Sequence, residues 1–181
     1  MRKILIVVDM QNDFIDGSLG TPEAQAIVEN VVEKIRSYPV EDVRATQDTH
    51  PVDYLSTQEG QKLPLEHCIK GTRGWEIRDE VAQLLRRGDE GAESRIYEKP
   101  TFGSLDLARD LQEIYRSSDE GLEIELVGLC TDICVVSNAL LLKAFMPEVR
   151  ISVAADCCAG VTPEKHQAAL ETMASCQIEI E

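Results

Sequence analysis

The chain has no run of 18 consecutive apolar residues, so no membrane span is expected. It is short of positive charge: 18 Lys and Arg stand against 33 Asp and Glu, a formal net charge of −15. Nucleic acid and anionic membrane both repel such a surface, and neither is expected as a partner. A secretory leader is not expected either. The basic start MRKILIVVDMQ leads into an apolar run that stops at Asp9 after five residues, with no small-residue cleavage site behind it. A cytoplasmic location follows as the expectation, and six cysteines there stay reduced, so their even count is no argument for disulfides. There is no internal repeat, no low-complexity segment and no linker. At 181 residues, one domain (1–181) has the length for a substantial core.

What is present is alternation. Residues 3–8, KILIVV, form a continuous β-rich apolar run, the pattern of a strand buried on both faces of a parallel sheet. Thr21-Pro22 opens a helix whose apolar residues Ala24, Ile27, Val28, Val31, Val32 and Ile35 recur at three-to-four spacing, and Tyr38-Pro39 ends it. A short strand at 43–46 precedes a stretch, 52–75, in which no period holds. A loop that long inside a compact domain is usually functional. Helix 76–87, a turn at 88–91 and strand 95–98 follow, then helix 104–116 with Ser104 as its cap. Strand 123–127 passes through Gly128 into a helix that Met146-Pro147 closes. A strand at 149–155, a helix at 163–175 and a strand at 177–180 complete the chain. Strands alternating with helices predict the α/β class: a three-layer α/β/α domain around a mostly parallel, Rossmann-like sheet.

In such a sheet, ligands bind beyond the carboxyl ends of the strands. Five expected strands end in, or just before, a reactive polar residue: Asp9, Asp48, Lys99, the turn holding Cys130 and Cys134, and Asp156. Both thiols of the turn fall where a helix begins, and the free N–H groups and dipole of a helix start favour thiolate. The plain alternative is a small buried apolar residue, the usual fate of cysteine. That is the reading given to Cys68, Cys157, Cys158 and Cys176. The spacing of Cys130 and Cys134 is not C-x-x-C, and adjacent Cys157 and Cys158 do not readily share one bridge or metal, which argues against a disulfide reductase or structural zinc site. Asp9, directly after five apolar residues, caps a turn or meets a cation. Lys99 supplies that cation or forms a solvated pair with Glu98. Asp156 reads as structural, ahead of Gly160.

Asp48, His50 and His67 make a second constellation. A D-x-H pair at a strand end plus a later loop histidine offers the O and N ligands taken by Zn²⁺, Fe²⁺ or Mn²⁺. Surface histidines are the alternative, but two of the chain's three histidines share one irregular loop. Glu59 or Asp53 is the candidate fourth ligand.

The runs Asp9-Met10-Gln11-Asn12-Asp13-Phe14, Gln47-Asp48-Thr49-His50-Pro51, His67-Cys68-Ile69-Lys70-Gly71-Thr72, Lys99, and Gly128-Leu129-Cys130-Thr131-Asp132-Ile133-Cys134-Val135 occur in an order that resembles the isochorismatase-like cysteine hydrolases, most closely the nicotinamidase branch. The resemblance spans 9–156. It implies a triad with Cys134 as nucleophile, Asp9 as base and Lys99 holding both in register. It also implies a cis peptide between Leu129 and Cys130, and an oxyanion hole made by the backbone N–H groups of Cys130 and Cys134. Phe14, Phe102 and Leu129 are the implied substrate contacts. A divalent metal, zinc first and iron or manganese as alternatives, is implied at Asp48, His50 and His67, with Glu59 beside them, where it holds the substrate's pyridine nitrogen directly or through water. The implied activity is hydrolysis of a small carboxamide to acid and ammonia through a thioester, with nicotinamide the foremost substrate and a homodimer or homotetramer the assembly.

The chain departs from that pattern in two places. The branch often has a Trp three residues before the second metal histidine, where this chain has Pro64 preceded by Leu63, and a further loop histidine is replaced around Asp53 or Tyr54. These departures keep a different small amide or ureide open as the substrate, and Trp75 is expected to support the loop instead of lining the pocket. A non-catalytic binding protein on the same fold is the remaining alternative, disfavoured by the presence of Cys134.

Overall fold

The apolar run near the N-terminus becomes the middle of a sheet. In a computed structural model, which describes residues 1–87, 95–117 and 121–181, strand β1 (Arg2–Val8) lies between β2 (Val43–Asp48) and β4 (Leu122–Leu129) and runs parallel to both. Strands β3 (Ile96–Lys99), β5 (Arg150–Ala159) and β6 (Glu179–Ile180) extend it to the order β3-β2-β1-β4-β5-β6, with every named pairing parallel.

Alternate residues of β1 point into two different cores. Ile4, Ile6 and Val8 pack with Leu107 and Leu111 of α6 (Leu105–Ser117), Leu142 of α7 (Val136–Phe145) and Met173 of α8 (Pro163–Ser175). Leu5 and Val7 pack on the opposite face with Val31 and Ile35 of α3 (Val28–Arg36) and Val81 of α5 (Asp79–Leu85). A fully buried side chain of this kind stabilises by roughly 1.5–3 kcal/mol, and both faces of the sheet contribute. The result is the three-layer α/β/α arrangement anticipated from the sequence.

This strand order reverses between β1 and β4, so the segments leaving those two strands diverge and open a crevice at their carboxyl ends. Gly128 allows the approach. Its φ is +114°, and a Cβ there would sit 2.1 Å from the Val8 carbonyl oxygen. The β4–β5 register shifts at the same level, between Leu126 and Gly128.

Several boundaries differ from the periodic reading. The helix expected from Thr21 is two helices, α2 (Pro22–Ala26) and α3, which meet at Ile27. Strand β5 runs on to Ala159, so Asp156 is an exposed residue inside a strand and not a strand-end group. The shift in β4–β5 register lets the strand continue through the acid, and the Asp156 carbonyl accepts from the Asn30 side chain at 2.8 Å. The long loop contains a single helical turn, Tyr54–Ser56, and α4 (Gln58–Lys62), both too short to show a 3.6-residue period. A further short helix, α1 (Asn12–Ile15), follows Asp9. The turn expected at 88–91 lies outside the described residues. Among the described residues no helix is long and apolar enough to cross a membrane.

Candidate active site

Four side chains, from the ends of β1, β2 and β3 and from the turn after β4, meet at the crevice. The Lys99 ammonium, 1% exposed, lies 2.7 Å from Asp9 Oδ2, 3.4 Å from Asp48 Oδ1 and 3.4 Å from Cys134 Sγ. Asp9 leaves β1 in the left-handed region, at φ 45°, a conformation that a short polar side chain tolerates better than most. Its backbone N–H donates to the Thr46 carbonyl at 3.2 Å, and Thr46 Oγ1 donates to Asp9 Oδ1 at 2.6 Å. One carboxylate oxygen is thereby fixed. The other, Oδ2, is buried beside Lys99 without a well-aligned hydrogen bond and keeps a lone pair for an incoming proton.

The turn bearing the nucleophile candidate departs from a simple helix start. After a cis peptide between Leu129 and Cys130, residues Thr131–Val135 form a π-helical turn that leads into α7. The Cys130 carbonyl accepts from the N–H groups of Ile133 at 3.0 Å and Val135 at 3.1 Å. Cys134 is buried. Its carbonyl accepts from the Asn138 side chain at 2.8 Å, and the same amide donates to the Phe102 carbonyl at 3.2 Å and accepts from Ser104 N–H at 2.9 Å. Asn138 thus ties the nucleophile's turn to the segment carrying Phe102.

Electrostatics correct one expectation. Burial, then the Asp9 carboxylate, push the Cys134 thiol well above its ordinary range, and Lys99 opposes this without cancelling it. Deep burial thus works against the thiolate that a helix start favours. Burial likewise raises Asp9, against the pull of Lys99 and with the help of Asp48. Burial acts to neutralise Lys99, but Asp9, Cys134 and Asp48 outweigh it and keep the ammonium charged. The centre therefore sets a cysteine whose ionisation burial opposes beside a carboxyl of raised basicity.

Asp48, His50 and His67 have candidate ligand atoms all within 4.8 Å of one another, and all three residues are buried. Asp48 Oδ2 is 2.9 Å from His50 Nε2 and 3.7 Å from His67 Nε2. Glu59 Oε1 comes within 3.7 Å and 4.0 Å of the same two nitrogens. Asp53 is exposed and starts the Tyr54–Ser56 turn instead. His67 Nδ1 is 2.9 Å from the Leu65 carbonyl, which accepts a proton there and leaves the Nε2 lone pair free for a metal. His50 Nε2 is buried and, although Asp48 Oδ2 is 2.9 Å away, makes no well-aligned hydrogen bond, as a nitrogen facing a cation beside that carboxylate would. The donor set, two imidazoles and two carboxylates, fits a divalent ion.

Other residues hold this cluster from behind. Tyr54 is fully buried, with its ring 4.7 Å from that of His50 and 5.0 Å from that of His67. Gln11 donates to the Asp48 carbonyl and to the Trp75 carbonyl, each at 2.8 Å, and accepts from Asp48 N–H at 2.7 Å. Trp75 itself supports the loop, donating to Thr49 Oγ1 at 2.9 Å. Asp13 accepts from Cys68 N–H at 2.8 Å, and Gly74 packs so closely on it that a Cβ would lie 2.1 Å from Asp13 Oδ2.

A cavity of about 60 Å³ joins the two centres. Cys130, Cys134, Asp48, Glu59 and His67 line it, with Phe14, Phe102, Leu19, Leu63 and Ile133 as its apolar walls. The Phe14 ring lies 5.7 Å from that of His67, and Phe102 is 43% exposed at the mouth. Leu129 does not belong to the lining: it is buried in the core on the α3 and α5 face. An apolar residue ending a strand gives no sign of which side it will take once the next peptide is cis. Cys68, Cys157 and Cys158 are buried as expected, whereas Cys176 is exposed at the end of α8. Thr46, Leu19 and Asn138 carried no signal in the sequence, since each type is common in ordinary strands, loops and helices.

A parallel sheet of this order brings a cysteine, an aspartate and a lysine together beyond the carboxyl ends of its strands, the architecture of an α/β-class hydrolase. Residues 3–180 match the Isochorismatase domain family, and the chain belongs to that family as an amidohydrolase. It is 30% identical over 192 residues to the nicotinamidase/pyrazinamidase of Mycobacterium tuberculosis, covering 98% of this chain and 97% of that one. The crystal structure of the nicotinamidase/pyrazinamidase of Bacillus subtilis superposes with a TM-score of 0.81 at 27% identity, covering 99% of each chain. That of the pyrazinamidase of Pyrococcus horikoshii in complex with zinc gives 0.75 at 28% identity, covering 100% of this chain and 99% of that one.

Proposed function

We propose that this chain hydrolyses the amide of nicotinamide, or a closely similar planar carboxamide, to the carboxylate and ammonia. The observation that carries the reading is the single ammonium of Lys99 lying 2.7 Å from Asp9 Oδ2 and 3.4 Å from the Sγ of Cys134, which lines a small, mostly apolar cavity. An amide is a poor electrophile, so its attack needs an activated nucleophile, a stabilised oxyanion and a proton for the leaving nitrogen.

In this mechanism Asp9 Oδ2 takes the Cys134 proton, which the raised basicity of that carboxyl assists, and the sulfur attacks the amide carbon. The backbone N–H groups of Cys130 and Cys134 face the developing oxyanion, where loss of one donor typically costs about 10²–10³ in rate. Collapse of the tetrahedral species breaks the C–N bond as Asp9 returns its proton to nitrogen, and ammonia leaves. Asp9 then draws a proton from water as the water attacks the thioester, and collapse of this second tetrahedral species breaks the C–S bond as Asp9 returns the proton to sulfur and the acid leaves. Lys99 stays charged throughout and keeps acid and thiol in register. Phe14 and Phe102 sandwich the ring. Asp48, His50, His67 and Glu59 would hold a divalent ion, zinc by donor set, which when bound supplies a fixed electrophilic point for a ring nitrogen. The enzyme on this reading works in the cytoplasm as a homo-oligomer.

The test is ammonia release from a panel of carboxamides and ureides by the metal-loaded protein. Nicotinamide should be turned over, and Cys134→Ala should lose roughly 10³-fold or more. Turnover by Cys134→Ala at the normal rate would end the reading. A ureide preferred over nicotinamide would favour the second substrate class, for which the observation is Leu63 lining the pocket beside Pro64, where a large aromatic wall is absent.

A further inference from the structure

The π-helical turn is held from behind as well as from the pocket side. Cys130, Ile133 and Cys134 line the cavity, but Thr131, 0% exposed, does not. Its hydroxyl lies 2.8 Å from His166 Nδ1, on the first turns of α8, a pair separated by 35 residues in the chain. One residue on, Asp132 Oδ1 accepts from Val161 N–H at 2.9 Å, which anchors the turn to the segment between β5 and α8. Gly160 lets the three parts close up, since a Cβ there would stand 2.8 Å from His166 N and 2.9 Å from Asp132 Oδ1. The only side chain-to-side chain hydrogen bond of this junction among the described residues is therefore Thr131 to His166, one residue from Cys130 and three from Cys134.

We propose that His166 is a positioning residue: through its hydrogen bond to Thr131 it fixes the turn that presents the Cys134 sulfur and the oxyanion-binding backbone, and so acts on the chemical step and not on substrate binding. Single π-helical turns recur at functional sites, and in this one the Cys130 carbonyl serves two N–H groups, those of Ile133 and Val135. Of the pocket walls, Phe14 and Leu63 come from other segments and stay in place when the turn is released, and Phe102 is tied to the turn through Asn138 of α7, not through His166. A displacement near 1 Å of a reacting group costs up to about 10²-fold in rate. This inference rests on Cys134 being the nucleophile.

The experiment compares wild type, Thr131→Val, His166→Ala, the double variant and His166→Asn. Asparagine keeps a hydrogen-bonding atom near the place of Nδ1 and can donate or accept by turning its amide. With nicotinamide as the probe, Thr131→Val and His166→Ala should each lower kcat by about 10- to 10²-fold with KM within about twofold, and the double variant should be no worse than either single. His166→Asn should recover most of kcat. The rate at which iodoacetamide alkylates Cys134, read by peptide mass spectrometry, should fall and recover in the same order, and it decides the matter if nicotinamide is not a substrate. Cys134→Ala assayed alongside tests the catalytic reading separately. Unchanged kcat and alkylation in the single variants, losses that multiply in the double variant, or failure of His166→Asn to recover while its thermal midpoint stays at the wild-type value would each overturn the proposal.

Discussion

Lys99 decides most of what happens at the level of single residues. It is buried among two carboxylates and a thiol, and its charge is the one cation within 4 Å of Asp9 among the described residues. Replacing it by methionine keeps the volume and removes the charge, leaving Asp9 and Asp48 buried without their shared partner. Breaking a buried pair in this way costs about 3–5 kcal/mol at neutral pH, and activity should be lost with it. Lys99 holds the Asp9 carboxyl down against burial, so its removal raises that carboxyl further above its unfolded value. An acid whose folded pKa exceeds its unfolded pKa destabilises when ionised, so the Lys99→Met penalty should be largest above that pKa and shrink as pH falls through it. Urea unfolding of both proteins across pH checks the sign: a penalty that grew on acidification would contradict the account. The meeting of Asp9, Lys99 and Cys134 at one edge was legible in the sequence because each stands at the end of a strand or in the turn after one. The protonation state of Cys134 was not. It depends on how deeply the turn is buried and on Asp9 and Asp48 arriving from β1 and β2, and no local pattern encodes either.

At the level of elements, the sequence displays period more readily than partnership. Helix α8 shows itself over its full span, 163–175, because Pro163 opens it behind the Thr162 cap and apolar residues recur along it. The segment 52–75 looked formless because its helices span three and five residues, and its order comes from contacts such as Tyr54 against His50 and His67. Strand β5 was cut short at Asp156 because an acid usually ends a buried run, and only the shifted register beside β4 accommodates it. Asn138 makes the case for partnership. It sits on α7 as an ordinary polar residue, yet it bonds the Cys134 carbonyl, the Phe102 carbonyl and Ser104 N–H. Asn138→Ala removes the partner of the buried Cys134 carbonyl and Ser104 N–H, at about 1–3 kcal/mol for each group left unsatisfied. Because the amide joins nucleophile and pocket wall, kcat should fall and KM should rise together. The contrast with His166, where KM is expected to hold, is measurable in one set of steady-state assays, and an Asn138→Ala enzyme with unaltered KM would separate Asn138 from the Phe102 segment.

Across the whole molecule, the sheet order brings groups distant in sequence to one edge, and the metal cluster shares that edge with the triad through Asp48, which faces Lys99 with one oxygen and the histidines with the other. The four candidate ligands span 48–67, from the end of β2 to the far end of the long segment, so an ion bound there closes a loop that the apolar core does not cover. Anything that binds the native state alone stabilises it by RT ln(1 + [L]/Kd), about 2.7 kcal/mol at a hundred times Kd. Zinc added to chelator-treated protein should therefore raise its thermal midpoint in a saturable way, independently of any substrate. His67→Ala should abolish the rise, because it removes a ligand whose Nε2 is freed by the Leu65 carbonyl. Glu59→Gln should weaken it without abolishing it, since Glu59 is the most distant and most exposed of the four. Were the midpoint indifferent to zinc, or His67→Ala to respond as fully as the parent, the two imidazoles would be serving the packing around Tyr54 and not an ion, and the substrate's ring would have to be held by Phe14 and Phe102 alone.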